Sequence, residues 1–281
     1  MRAFVAAAAA LCLCGCVTVS VSEADIYKPQ PGAGTPPERL AVGGAEYRVE
    51  PQTIVSADGT RLAGALLRRP GADRTVLYFG GNLFTMKERA ALMAQRLAPL
   101  NVNLMVVDYR GYGASGQGPM TMDAIMADAL AVFDHLAALP DVEPSQIVVH
   151  GQSLGSFMAG HVAANRPTAG VVLESSATTA EDFARAQVPF LARPFVRLEI
   201  AESLRRQGNL QQMSRLDEPL LVLSGERDDV TAPAMSRALF KAATLPPERK
   251  RLAVVPGAGH NDVLDKPAGL AAYREFLALT R

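Results

Sequence analysis

From residue 45 onward the chain alternates between two hydrophobic periods. Tyr47 to Val55 and Arg61 to Leu67 flank Asp58-Gly59 and read as a β-hairpin closed by a tight turn. Thr75 to Phe79 is a short apolar run that suits a buried strand, and Asn103 to Tyr109, rich in Val and Leu, is another. Between them Met86, Ala90, Met93 and Leu97 recur at helical spacing, predicting a helix over 84–98. The next helix falls on 121–139, with Ile125, Leu130, Phe133 and Leu136 as its apolar set. A strand at Gln146 to Val149, a helix at Ser153 to Asn165, and strands at Gly170 to Leu173 and Leu220 to Leu223 follow. Helix 234–243, strand Arg251 to Val255 and helix 268–279 complete the pattern. Continuous apolar strands are buried on both faces. Their alternation with helices predicts an α/β fold: a mostly parallel sheet with helices on both sides.

Two stretches break this rhythm. Between Ser175 and Glu218 lie about forty residues, where a crossover helix needs about fifteen. They hold Phe190, Leu191, Phe195, Val196, Leu198, Ile200, Leu204 and six arginines from Arg185 to Arg215. The expectation is a small cap insertion, about 176–217, closing over the pocket. Residues 16–44 carry Pro29, Pro31, Pro36, Pro37 and several glycines without a periodic pattern, and read as a flexible tether. The domain proper is expected over 45–281.

Before the tether, Arg2 precedes an apolar run from Phe4 to Leu13 that is too short to span a bilayer. This is the build of a signal peptide over 1–15. Its end, Leu13-Cys14-Gly15-Cys16, resembles the bacterial lipobox, which implies lipidation of Cys16 and a membrane partner through that lipid. In lipoproteins the following residue, here Val17 rather than Asp, points to the outer membrane on its periplasmic side. Composition narrows the rest. The 281 residues carry 28 basic and 28 acidic side chains, and 49% are hydrophobic. That excludes a disordered chain and speaks against a nucleic-acid partner. All three cysteines lie in the first sixteen residues, so the body has no disulfide, cysteine nucleophile or cysteine-ligated metal. Oligomeric state is not legible.

The chemistry concentrates in Gly151-Gln152-Ser153-Leu154-Gly155, between a strand and a helix. This is the G-x-S-x-G elbow in the context it requires: a strained turn with small flanking residues, projecting the serine at a helix N-terminus. A serine nucleophile needs a base. His135 lies within a helix, His150 points away from the pocket, and His161 is too far down its helix. His260, in Pro256-Gly257-Ala258-Gly259-His260 after the last strand, lies at the carboxyl edge where ligands bind. The orienting acid falls in Gly225-Glu226-Arg227-Asp228-Asp229, with Asp228 ahead of Asp229 and with Asp108 and Glu174 as competitors. The order Ser, Asp, His is that of the α/β-hydrolases. Gly111-x-Gly113-x-x-Gly116 spells a dinucleotide fingerprint, but Gly118-Pro119 delays the helix that would bind pyrophosphate.

Phe79-Gly80-Gly81-Asn82, Asp108 to Ser115, Gly151 to Gly155, Gly225 to Asp228 and Gly257 to His260 occur in order. Together they resemble the α/β-hydrolase superfamily, with the closest look to small serine hydrolases of the serine aminopeptidase and monoacylglycerol lipase type. The resemblance covers about residues 46–280. It implies the α/β-hydrolase fold, supports Asp228 as the acid, and places oxyanion donors at the backbone N–H of Leu154 and of Asn82, with Leu83 as neighbour. The family often has His-Gly where Gly80-Gly81 stands, and this departure leaves open what supports the oxyanion loop. The implied activity is a serine hydrolase acting on a small-molecule acyl ester of small to medium chain through an acyl-enzyme, with no metal or organic cofactor. The alternatives are a peptidase or thioesterase on the same three residues, and a catalytically silent, lipid-anchored binding protein.

Overall fold

The computed structural model describes residues 17–32 and 34–280. The expected signal peptide and Cys16 lie outside the described residues. Among the described residues eleven strands occur in chain order: β1 (Val17–Val21), β2 (Arg39–Val42), β3 (Ala45–Val55), β4 (Arg61–Arg68), β5 (Thr75–Phe79), β6 (Asn103–Val107), β7 (Ile147–Gln152), β8 (Gly170–Glu174), β9 (Val196–Ile200), β10 (Leu220–Gly225) and β11 (Lys250–Val255). Nine of them form one sheet in the order β11-β10-β8-β7-β5-β6-β4-β3-β2. The six strands from β11 to β6 are parallel, and β4, β3 and β2 continue antiparallel. The chain has the α/β-hydrolase fold expected of it.

Each parallel strand serves two cores, because successive side chains point to opposite faces. Leu77 and Phe79 of β5 and Val149 of β7 join one cluster, with Ile125, Phe133 and Met158 from helices Met122–Ala137 and Gly155–Ala163. Val76, Tyr78 and Val148 join the other, with Met93 and Phe276 from helices Met86–Leu97 and Pro267–Leu279. The β3–β4 hairpin turns at Gly59, whose φ of 83° suits a residue without Cβ. Arg110, fully buried, ties that turn to the sheet. It donates to both oxygens of Asp128 at 2.6 Å and to Asp58 at 2.7 Å.

Residues 17–44 depart from the tether expected of them. β1 pairs in parallel with β9, from Val17–Val196 to Val21–Ile200. Tyr27 is buried, and β2 extends the main sheet. The five residues Val17-Thr18-Val19-Ser20-Val21 are exposed or half-buried, so their apolar signal is short and weak. Within the insertion the apolar side chains divide between the two sides. Ile200 and Leu204 are buried in the main core, whereas Phe190, Leu191 and Phe195 are 78%, 83% and 63% exposed rather than turned inward. Among the described residues no helix is long and apolar enough to cross a membrane.

Candidate active site

Parallel strands end on one edge, and the site is assembled there. Ser153 follows β7, Asp228 follows β10, and His260 follows β11. Ser153 has φ 52° in a non-glycine residue, a conformation that costs on the order of 1–3 kcal/mol and persists only where the surroundings impose it. They do so here. Ser153 N–H donates to the Glu174 carbonyl at 2.9 Å. A Cβ on Gly151 would lie 2.2 Å from the Gly155 carbonyl oxygen, and one on Gly155 would lie 2.0 Å from that of Phe79. Only glycine lets β5, the turn and the helix approach so closely. Leu154 opens helix Gly155–Ala163 with αR dihedrals, so its N–H is one of the first-turn donors that no helical carbonyl can satisfy.

His260 Nε2 lies 2.9 Å from Ser153 Oγ, and Nδ1 lies 2.9 Å from Asp228 Oδ2 and 3.0 Å from Oδ1. An ionised carboxylate can only accept, so the proton sits on Nδ1, and the Nε2 lone pair faces the serine hydroxyl. Asp228 is itself pinned. Oδ1 accepts from the backbone N–H groups of Val230 at 2.9 Å and Thr231 at 2.8 Å. Thr231 Oγ1 lies 2.8 Å from Oδ2, 2.9 Å from the Ser175 carbonyl oxygen and 3.2 Å from His260 Nδ1. Burial would raise the Asp228 carboxyl, but hydrogen bonds from His260 and Thr231 outweigh it and hold the group below the usual carboxylate range. Asp229, by contrast, is exposed.

The competing carboxylates are engaged elsewhere. Asp108 accepts from Met86 N–H at 2.7 Å and Ala114 N–H at 2.9 Å, fixing the loop after β6, and burial raises its carboxyl. Glu174 lies 2.9 Å from His150 Nε2, both buried, with His150 packed between Tyr78 and Tyr273. His135 meets Gln52, and burial lowers His161. The glycines at 111, 113 and 116 form a loop turn, closed by Gly111 N–H to the Gly116 carbonyl at 2.9 Å, and the next helix starts only at Met122.

The Asn82 loop lies beside the serine, since a Cβ on Gly81 would sit 3.6 Å from Ser153 Cβ. Polar support for the Gly80-Gly81 loop comes from elsewhere in the chain. Tyr109 OH donates to the Gly80 carbonyl at 2.6 Å, and Tyr112 OH donates to Asn82 Oδ1 at 2.7 Å. Lys28 N–H reaches the same oxygen at 3.1 Å, while Asn82 Nδ2 donates to the Ile26 carbonyl. Tyr112 OH also accepts from Lys28 N–H at 2.8 Å, and burial pushes its hydroxyl up to about 12. Gln152 Nε2 holds the other wall through the His260 carbonyl at 3.3 Å and Asn261 Oδ1 at 3.2 Å. Sequence reading missed Thr231, Tyr109, Tyr112 and Gln152. Gln152 is the variable residue of the serine motif, Thr231 stands three residues after the acid, and Tyr109 and Tyr112 fall within Asp108 to Ser115, so each had a position in a motif but no assigned role.

A family model described as serine aminopeptidase, S33 matches residues 73–217. The chain belongs to the serine aminopeptidase S33 family. Members of the wider α/β-hydrolase group align over most of its length. An uncharacterized protein of Mycobacterium tuberculosis is 35% identical over 256 residues, covering 89% of this chain and 85% of that one. The α/β-hydrolase domain-containing protein WAV2 of Arabidopsis thaliana is 30% identical over 208 residues, covering 69% and 67%. Among solved structures, an esterase of Pyrococcus furiosus superposes with a TM-score of 0.66 at 20% identity, covering 87% of this chain and 98% of that one. That likeness is one of fold. The S33 match runs from just before β5 through the cap insertion, and so includes the Asn82 loop and Ser153.

Proposed function

We propose that the chain is a serine esterase that cleaves a carboxylic ester of small to medium acyl length. The observation that carries this reading is the line from Asp228 through His260 to Ser153 Oγ, with both contacts of the imidazole at 2.9 Å. Ser153 Oγ attacks the acyl carbon while its proton passes to His260 Nε2. The N–H groups of Leu154 and Asn82 stabilise the tetrahedral oxyanion. Collapse expels the alcohol, which takes the proton from Nε2. Water then attacks the acyl-enzyme, gives a proton to Nε2, and Ser153 leaves as the restored hydroxyl. The Asp228 carboxylate holds the imidazole in this tautomer throughout.

Hydrolase family membership supports the reaction class, and the choice of an ester among acyl bonds is the part that the assay below tests. The cap segment is short, which favours modest acyl groups over emulsified triglyceride. Lipidation at Cys16 would hold the domain at the cell envelope. A series of p-nitrophenyl esters from acetyl to dodecanoyl, run beside an aminoacyl anilide, tests the proposal. The value of kcat/KM should rise with chain length, by up to ~0.8 kcal/mol per accommodated methylene, and then fall. A flat series or a clear preference for the anilide would overturn the ester reading in favour of the peptidase that the family description names.

A further inference from the structure

Phe190, Leu191 and Phe195 are the most exposed large apolar side chains among the described residues, at 78%, 83% and 63%. Single exposed apolar groups are ordinary, but three within six residues form a patch that calls for a partner. They lie on the 3-10 segment Phe190–Phe195, which runs directly into β9. β9 begins at Val196, and Val196 pairs with Val17. The patch therefore adjoins the start of the described chain, one residue beyond Cys16. Val17 is itself 46% exposed.

Charged groups of both signs border the patch. Arg185 lies 3.1 Å from Glu181 and Arg197 lies 3.9 Å from Glu199, while Arg193 stands within the apolar segment itself. The Arg193 guanidinium carbon lies 5.9 Å from the Phe190 ring centroid, and the Arg197 side chain is 75% exposed. Aromatic and leucine side chains with an arginine stacked among them match a bilayer interface, where the rings enter the acyl boundary and the long cationic side chain stays at headgroup level.

We propose that Phe190, Leu191 and Phe195 form a membrane-docking surface that seats the cap on a bilayer. The proposal rests on the reading of Cys16 as a lipid anchor, because that anchor brings this surface within reach of the bilayer. From an anchored Cys16 the chain enters β1 at once, and one residue spans only about 3.5 Å. The patch must then lie at the membrane face rather than the far side of the domain. The cap also touches the site's rim, since Gln187 Nε2 donates to the Val230 carbonyl at 3.5 Å, two residues from Asp228. Docking so arranged would present the site to substrates held in the bilayer.

The test uses the full chain with Cys12 and Cys14 changed to Ser and one added cysteine, Leu191→Cys or Phe195→Cys, labelled with an environment-sensitive nitrobenzoxadiazole. The control label is at Arg48→Cys, whose arginine is 73% exposed on β3, and a chain with no added cysteine gives the label background. In vesicles of phosphatidylethanolamine and phosphatidylglycerol, labels at 191 and 195 should shift to the blue and be quenched by nitroxide lipids, while that at 48 should not. Leu191→Glu with Phe195→Glu should lower hydrolysis of a vesicle-embedded ester about tenfold or more, with hydrolysis of a soluble ester unchanged. A water-like spectrum at 191 in vesicle-bound protein would overturn the proposal, as would a spectral change that tracks protein concentration without vesicles and so reports self-association. Vesicle recovery of Cys16→Ser reads the anchor separately from the labels, so failure of one is distinguishable from failure of the other.

Discussion

Asp228→Asn should disable the site by a route set by the backbone around it. Val230 and Thr231 N–H groups both donate to Oδ1. In the asparagine they select the amide oxygen for that position, which turns the NH2 toward His260 Nδ1 at the place where Oδ2 lies, 2.9 Å away. Two donors cannot face each other, so the imidazole proton moves to Nε2. That nitrogen then faces Ser153 Oγ as a donor and cannot take its proton. Wrong-tautomer substitutions of this kind lower kcat by about 10⁴-fold, equivalent to ~5.4 kcal/mol at 1.36 kcal/mol per tenfold. The contrast is Asp229→Asn, an exposed neighbour, which should change kcat less than about threefold, within the ordinary range of surface substitutions. The assay is kcat/KM on p-nitrophenyl butyrate, with a thermal melt and circular dichroism on each variant to show it folded. A folded Asp228→Asn protein retaining a tenth of wild-type activity would refute the tautomer argument, and loss confined to Asp229→Asn would move the acid by one residue.

Ser153→Ala and His260→Ala should each cost about 10⁴-fold or more in kcat, and the double variant should be little worse than either, because groups acting as a unit are not additive; an additive double would separate them. Labelling by a fluorophosphonate should vanish in Ser153→Ala and persist in a surface variant such as Asp229→Asn. Cys16→Ser should move the protein from the membrane to the soluble fraction, and unchanged membrane recovery would remove the lipid anchor. The Asp228 carboxyl is held below its unfolded value by His260 and Thr231, so the stability it contributes is fully present above about pH 4 and lost as pH falls through the folded value. The melting temperature of Asp228→Asn should therefore trail wild type at pH 6, with the gap closing between about pH 4 and pH 2; a constant gap would show that the carboxylate's charge adds nothing.

The parallel core of the fold was legible because β5, β7, β8 and β10 are buried along their whole length, and burial is what an apolar run reports. Ser153 and Asp228 were placed for a related reason: each follows such a strand, and parallel strands deliver their ends to one edge, where His260 also falls after the partly exposed edge strand β11. β1 and β9 were not. Both are half-exposed, and their pairing joins the two ends of a long stretch of chain, which no local pattern records. The supports of the Asn82 loop escaped for the same reason. Tyr112 OH meets Asn82 across 30 residues and Lys28 N–H across 84, contacts made by folding rather than spelled by a motif. The apolar count of the cap suggested inward packing, but count alone does not say which side of a surface a residue takes, and Phe190 and Leu191 take the outer one.

The β1–β9 pairing also sets an order of events for a growing chain. Glu23 and Ser203, which meet just past these two strands, are 180 residues apart in sequence. β1 must therefore wait for more than half the polypeptide before its partner exists, and closing so long a loop is entropically slow. Until then Val17 to Val21 is an unpaired strand with free backbone donors and acceptors, the kind of edge that recruits strangers. The segment nearest the amino terminus should thus be among the last to gain protection from hydrogen exchange during refolding. A shortened protein that begins at residue 45 would leave β9 open for good, and would also lose the Ile26 and Lys28 groups that hold Asn82. Trimming the leader as though it were spare would open the cap and loosen the loop beside Ser153 in one cut.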